Sequence, residues 1–494
     1  MDSEINWLHL PDIIWVSILN NLEHECLLNA SITCKKFNDV LSLSQRLMNR
    51  LSLTIKNPYS VYYIKNEHEK QKIILKSIWE MKLMKECLQK SERKYDSISM
   101  CSLVDRLTKK YIMNAIIDIL KYFAGSVKEI SFYNTSLQDD YFFKIIQTMK
   151  NLNVLKFEGD GCFLWQDKAE VIRPYIVSSI NEISIKRVGG FIFQNLHMFD
   201  NLTTLEVDDF GTQYETDLET FESFLLMQKK LKVLHLRNML FKSDKLSNNI
   251  KFSLDELSLR GVHWTNNENS IKFFKTQTNL KKISLENFKL DKIEHNELLT
   301  HLFGNNLQLK TVDLSTSKIF NNNNKGGFNL KNFSFLRVNS SVENLILSLD
   351  ESQNATKCLT VFSKLFPNVN NFTYAMNNKV DHGLDLIHNW KYLESVHCQL
   401  YDINQFFENV NIAEKLTTCT IRRFDPDDIR IPQLKKFLNR HQNIKHMTLN
   451  PTYCTICDEM PIADEILSLI LNTLKSLKTL IWNENKCFLS KNLK

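Results

Sequence analysis

One short pattern, apolar-x-x-apolar-x-apolar, recurs fifteen times between residues 95 and 482, and it constrains the fold more than anything else in the chain. Clear copies are Leu152/Leu155/Phe157, Leu202/Leu205/Val207, Leu231/Leu234/Leu236, Leu254/Leu257/Leu259, Leu280/Ile283/Leu285, Leu309/Val312/Leu314 and Val342/Leu345/Leu347. Weaker copies begin at Tyr95, Val127, Ile180, Val369, Leu393, Leu416, Ile444 and Leu477. The mean step is about 27 residues, within the range of strand-plus-helix repeats. Within each copy the alternation is that of a strand buried on one face. Between copies lie helical stripes such as Leu218, Phe221, Phe224/Leu225 and Leu434, Phe437/Leu438. A single strand and helix cannot bury these residues alone, so the units must stack on one continuous core.

The period and content resemble leucine-rich repeats. The Asn or Cys expected three residues past the last strand leucine is mostly absent, Asn377 and Asn485 excepted. The array therefore resembles the irregular, helix-bearing repeats of intracellular proteins. The long steps from 309 to 342 and from 444 to 477 predict insertions, and Asn321 to Gly327 reads as a loop. Glycine (11) and proline (8) are scarce, so tight turns must rely on Asn, Asp and Ser. Cys398 and Cys419 fall on core positions, where a small hydrophobe suffices. Only a dozen mostly polar residues follow Trp482, so the stack is expected to end without a full helical cap.

The first 44 residues are of a different kind. Leu10-Pro11 opens a helix with apolar residues at 13, 14, 15, 16, 18 and 19, most of its circumference. Proline suits a first helical position, where its missing N–H needs no partner. Ile14, Ile18 and Leu22 form a stripe at helical spacing. A second helix carries Leu27 and Leu28, and a third places Phe37 and Leu41 on one face. About forty residues are too few to bury this much apolar surface internally, so part of it is expected to face another protein.

Leu10-Pro11-Asp12-x-Ile14, Ile18-Leu19-x-x-Leu22, Leu27-Leu28 and Cys34-Lys35-x-Phe37 resemble the F-box, whose pattern is roughly Leu-Pro-x-Glu-Ile, a leucine-rich middle and Val-Cys-Lys-x-Trp. Ile13 stands at the usual acidic position, and Phe37 replaces the usual Trp. The resemblance implies docking on the Skp adaptor of cullin–RING ubiquitin ligases, through Leu10, Pro11, Ile14, Ile18, Leu22, Leu27, Cys34 and Phe37. The whole chain thus resembles an F-box protein with leucine-rich repeats. The expected fold is α/β: a three-helix F-box (1–44), a connecting strand and helix capping the solenoid (45–94), and a horseshoe solenoid of about fifteen irregular strand–helix repeats (95–494). In the connection, Leu51 to Ile55 alternates like a strand, and Glu67 to Lys90 reads as a helix.

The resemblance implies a non-catalytic substrate receptor that delivers a target protein to the ligase; the alternative is a ligase-independent scaffold. Composition agrees with a soluble chain: 43% hydrophobic, 24% charged, net charge +6. No basic block marks nucleic-acid binding, no apolar run is long enough for a membrane span, and Asp2 and Glu4 argue against a signal peptide. Eleven scattered cysteines read as reduced thiols of the cytoplasm or nucleus. No phosphate-binding or zinc-protease motif is present, and no cofactor is expected. His441, His446, Cys454 and Cys457 form the nearest metal-like set, but His446 falls inside a repeat strand beside Met447 and Cys454 lies just past that strand's end, and no metal is expected. Asp139-Asp140, Asp208-Asp209 and Asp425 to Asp428 lie past strands, where helix capping is the simpler role.

The non-core strand positions should line the concave face. In the middle of the array they include Lys232, His235, Lys281, Lys282, Lys310 and Asp313. These suit a target with acidic or phosphorylated residues, and equally a solvated face of mixed charge.

Overall fold

The computed structural model describes residues 10–48, 51–56, 82–90, 94–101, 109–159, 163–165, 179–188, 198–208, 215–241, 250–264, 267–286, 300–315, 337–349, 355–376, 387, 389–400, 403–409, 415–452, 461–482 and 486–488. The chain divides into two compact units between Leu231 and Lys232.

The first unit opens with four helices: α1 (Asp12–Asn20), α2 (His24–Thr33), α3 (Lys35–Leu43) and the single turn α4 (Gln45–Met48). Strands then follow in the order β1 (Ser52–Lys56), β2 (Ser97–Cys101), β3 (Glu129–Tyr133), β4 (Ser136–Gln138), β5 (Val154–Glu158), β6 (Phe163–Trp165), β7 (Glu182–Lys186) and β8 (Thr204–Asp208). β1, β2, β3, β5, β7 and β8 pair in that order, all parallel, residue for residue. β4 and β6 form a separate parallel pair. Parallel neighbours need a crossover between them. Helix Lys109–Tyr122 supplies it between β2 and β3, burying Ile116 and Leu120.

β1 is the strand expected from the alternation of Leu51, Leu53 and Ile55, all three buried. It lies against β2, so the parallel sheet begins one strand before the first recognisable sequence copy. Residues 82–89 are helical; the remainder of the helix expected from Glu67 lies outside the described residues. Lys85 Nζ bonds Asp118 Oδ2 at 3.1 Å, and Tyr122 Oη donates to the Gln89 carbonyl at 3.2 Å, tying this helix to Lys109–Tyr122.

The second unit carries β9 (Val233–Arg237), β10 (Leu240–Phe241), β11 (Glu256–Arg260), β12 (His263–Trp264), β13 (Lys282–Glu286), β14 (Thr311–Leu314), β15 (Asn344–Leu349), β16 (Asn371–Met376), β17 (Ser395–Gln399), β18 (Thr418–Arg422), β19 (His446–Asn450), β20 (Thr479–Trp482) and β21 (Lys486–Phe488). β9, β11 and β13 to β20 pair in sequence, all parallel. β10 and β12 pair apart from them. The expected helices appear at Glu215–Met227 in the first unit and Ile431–Arg440 in the second, burying Phe221, Phe224 and Leu225, and Leu434, Phe437 and Leu438. β21 pairs antiparallel with β20, so a short strand borders the last repeat. Asn321 to Gly327 lies outside the described residues.

Every apolar position of all fifteen copies is buried, including Cys398 and Cys419, and burial pushes the pKa of the Cys419 thiol up to about 12. This is the α/β repeat architecture that the spacing predicts. The pattern places the exit turn less well. The residue two past the last apolar position is left-handed after six strands: Asn134, Gly159, Arg187, Asn238, Gly261 and Arg423. Its N–H reaches the end of the next strand, as in Asn134 to Glu158 at 2.8 Å and Asn238 to Arg260 at 2.7 Å. Positive φ costs an ordinary side chain about 1–2 kcal/mol, which explains Asn at two of these turns. At Gly159 (φ +102°) an added Cβ would lie 1.9 Å from Asn134 Oδ1. Gly159→Ala is therefore expected to destabilise the first unit by about 2 kcal/mol or more, read as a lowered denaturation midpoint; an unchanged midpoint would contradict this account of the turn.

Candidate docking sites

In the N-terminal helices the core and the surface separate cleanly. Pro11 is the residue just before α1 rather than its first helical residue; its carbonyl accepts from Ile14 N at 2.9 Å. Asp12 occupies the first turn, favourable toward the helix dipole, and pairs with Lys36 of α3. At the other end Asn21 Nδ2 bonds the Ser17 carbonyl at 2.9 Å. Cys34 caps α3, its Sγ accepting from Phe37 N at 3.4 Å. That cap sets the Phe37 ring edge-on to Trp15, with centroids 4.6 Å apart.

Trp15 and Leu19 turn one face of α1 inward, onto a core with Leu27, Val40, Leu41 and Leu47. The outward side of the helix carries Ile13 (75% exposed), Ile14 (44%) and Ile18 (42%). Isolated exposed aliphatics are normal, but three on one helix face form a patch that water disfavours. Of the residues implied by the F-box resemblance, Pro11, Ile14 and Ile18 are exposed, while Leu10, Leu22, Cys34 and Phe37 are half-buried. Leu27 is fully buried and supports the surface from behind. Ile13 and Leu43 (71% exposed) are not among those residues. Ile13 was visible as the apolar departure from an acidic position; nothing in the sequence separates Leu43 from a core leucine.

On the repeats, His235, Lys282 and Asp313 lie on the open face of β9, β13 and β14, while Lys232, Lys281 and Lys310 stand just before those strands, and opposite charges on adjacent repeats already hold most of them. His235 Nε2 lies 2.9 Å from Glu256 Oε1, and Lys282 Nζ lies 2.6 Å from the same oxygen. Lys281 pairs with Asp255 at 3.3 Å, and Lys310 pairs with Glu343. Lys232 Nζ donates to the Ser253 carbonyl at 3.1 Å, and Asp313 accepts from Ser284 Oγ at 3.1 Å. Burial alone would raise the Glu256 carboxyl; Lys282 and His235 outweigh it and hold the pKa below the usual carboxylate range. This stretch is an ion-paired surface rather than an open basic one.

The other candidates separate. His441 is buried against Phe437, with centroids 4.7 Å apart, whereas His446 is exposed on β19. Cys454 and Cys457 lie outside the described residues. Among the described residues, no group of three His, Cys, Asp or Glu is placed to hold a metal ion, and no helix is long and apolar enough to cross a membrane. Asp425 caps the 3-10 turn Pro426–Asp428, accepting from Asp427 N at 3.1 Å.

Residues 7–47 match the family model described as the F-box domain. No curated protein sequence matches the chain. Among solved structures, the chain aligns with the leucine-rich repeat-containing protein LegL7 from Legionella pneumophila at 12% identity, over 75% of this chain and 97% of that one. The TM-score of 0.33 is too low to bear on the fold, which rests instead on the strand and repeat geometry described above. Residues 7–47 thus carry an F-box domain, and the parallel strand–helix repeats that follow, with their buried apolar-x-x-apolar-x-apolar strands, have the architecture of leucine-rich repeats.

Proposed function

We propose that the chain is the substrate-recognition subunit of a Skp–cullin–F-box ubiquitin ligase, working in the cytoplasm or nucleus. The observation that carries this reading is the outward face of α1, where Ile13, Ile14 and Ile18 stand exposed on a helix that already has a full inner face in Trp15 and Leu19. Burying one such side chain against a partner contributes about 1.5–3 kcal/mol. The F-box docks on the Skp adaptor, and the repeats hold a target protein. The chain itself catalyses nothing and needs no cofactor. Its contribution is to raise the local concentration of the target beside the ubiquitin-charged enzyme.

Affinity purification of the full chain from cells, with mass spectrometry of what accompanies it, tests this. The Skp adaptor and a cullin should both be recovered, and a subset of other partners should accumulate when the cullin is inhibited. Recovery of the adaptor without a cullin supports the ligase-independent scaffold instead. Recovery of neither overturns the proposal.

A further inference from the structure

The open face of the second unit changes character along its length. On β9 to β14 cations and anions alternate between neighbouring strands and pair. On β18 to β20 the non-core positions are Thr418, Thr420 and Arg422; His446, Thr448 and Asn450; and Thr479 and Ile481. Lys445 and Lys478 stand just before β19 and β20, side by side, with Lys478 N bonded to the Lys445 carbonyl at 2.7 Å. No acidic residue stands at these positions. Arg422, Lys445, His446 and Lys478 are exposed, and among the described residues no carboxylate pairs with any of them. Glu394 stands just before β17, where its backbone carbonyl accepts from Thr417 N and Thr418 N.

We infer that β18 to β20, rather than the lysine-rich middle strands, form the target-binding surface, and that it takes an anionic polypeptide segment laid along the strands. This rests on the substrate-receptor reading. Charge complementarity argues for it: cations at both ends of the strands, with no carboxylate partner among the described residues, meet an anionic segment without first breaking such a pair, whereas Lys281, Lys282 and Lys310 would each have to give one up. The threonine hydroxyls between them donate to either carboxylate or phosphoryl oxygens. A nucleic acid fits less well, because the only aromatic ring among these open positions is the imidazole of His446; Trp482, on the other face of β20, is buried. Lys445 lies level with Thr417, five residues before Arg422 on the neighbouring strand. At about 3.3 Å per residue the two ends are roughly 16 Å apart. An extended peptide reaches both ends with acidic groups four residues apart, an even spacing that turns both toward the same face, the long lysine and arginine side chains covering the rest.

The test measures fluorescence anisotropy of the purified full chain with ten-residue peptides bearing two phosphoserines, two glutamates or two alanines at that spacing. The phosphoserine or the glutamate peptide should bind, and the stronger of the two identifies the anion. The alanine peptide should not bind. Arg422→Glu and Lys445→Glu should each weaken binding at least tenfold, while Lys281→Glu stays within twofold. No binding by either anionic peptide, equal binding by the neutral one, an equal loss in Lys281→Glu, or tighter binding of a single-stranded oligonucleotide would overturn the inference. The assay contains no adaptor. Loss of adaptor recovery with retained peptide binding therefore counts against the receptor reading alone.

Discussion

Ile14→Asp is expected to reduce Skp-adaptor binding at least a hundredfold while leaving the thermal unfolding of the chain unchanged. The side chain is 44% exposed in the free protein, so the substitution removes little native packing and adds a solvated carboxylate. In the complex the same position must lose water. The lost aliphatic burial is about 1.5–3 kcal/mol, and placing an unpaired carboxylate in an apolar contact adds to it. A hundredfold corresponds to about 2.7 kcal/mol, which the first contribution nearly supplies alone. Ile18→Asp should behave alike, one helical turn further along the same face. Trp15→Asp is the contrasting variant: it turns a charge into the core against Phe37 and should unfold the helices, losing binding together with helicity. The measurement is adaptor titration by calorimetry alongside far-UV circular dichroism melts. If Ile14→Asp and Ile18→Asp both retain wild-type affinity, α1 is not the docking helix.

The sequence shows the strands because burial writes directly into residue type. Leu257 and Leu259 must be apolar whatever their neighbours are, so each copy announces itself. The pairing of charges on the open face is written across repeats instead. Lys282 finds Glu256 only when β11 and β13 are in register, 26 positions apart along the chain, and Lys310 finds Glu343 at 33. With the repeat length varying, the partner cannot be named before the register is known, and a run of lysines reads as an open basic surface. The F-box residues were legible as a set, but not their division: Ile14 and Leu27 look alike in sequence, and only the packing of α1 on α3 exposes the first while α2 buries the second. The exit turns were legible in kind, since Asn serves where glycine is scarce, but they come two rather than three residues past the last apolar position.

A buried polar series gives the largest expected change in stability. Gln228, Gln277, Asn306 and Asn339 each stand three residues before the first apolar position of a copy, and each is at most 1% exposed. Asn306 bonds in both directions along the second unit. Its Oδ1 accepts from Leu280 N of the preceding repeat at 3.1 Å, and its Nδ2 donates to the His301 and Leu302 carbonyls at 2.9 and 3.2 Å. Its own carbonyl accepts from Asn339 Nδ2 at 2.9 Å. The π-helical turn Thr300–Asn305 ends immediately before it, and the Asn306 amide takes up two carbonyls of that turn. Replacement by leucine keeps the volume and gains apolar surface, but leaves the Leu280 N–H and those carbonyls buried without the amide. Orphaning one buried donor costs about 1–3 kcal/mol, and in a stack held by neighbour interfaces the loss falls on the junction between repeats. Asn306→Leu should therefore destabilise the second unit by about 2–4 kcal/mol. Asn279→Leu, at an exposed asparagine bonded to Ser253 Oγ at 3.0 Å, should change it by no more than about 0.5 kcal/mol. Urea denaturation followed by circular dichroism separates them. A loss below about 1 kcal/mol for Asn306→Leu would mean that water or a shifted backbone replaces the amide, and that the junction does not depend on it.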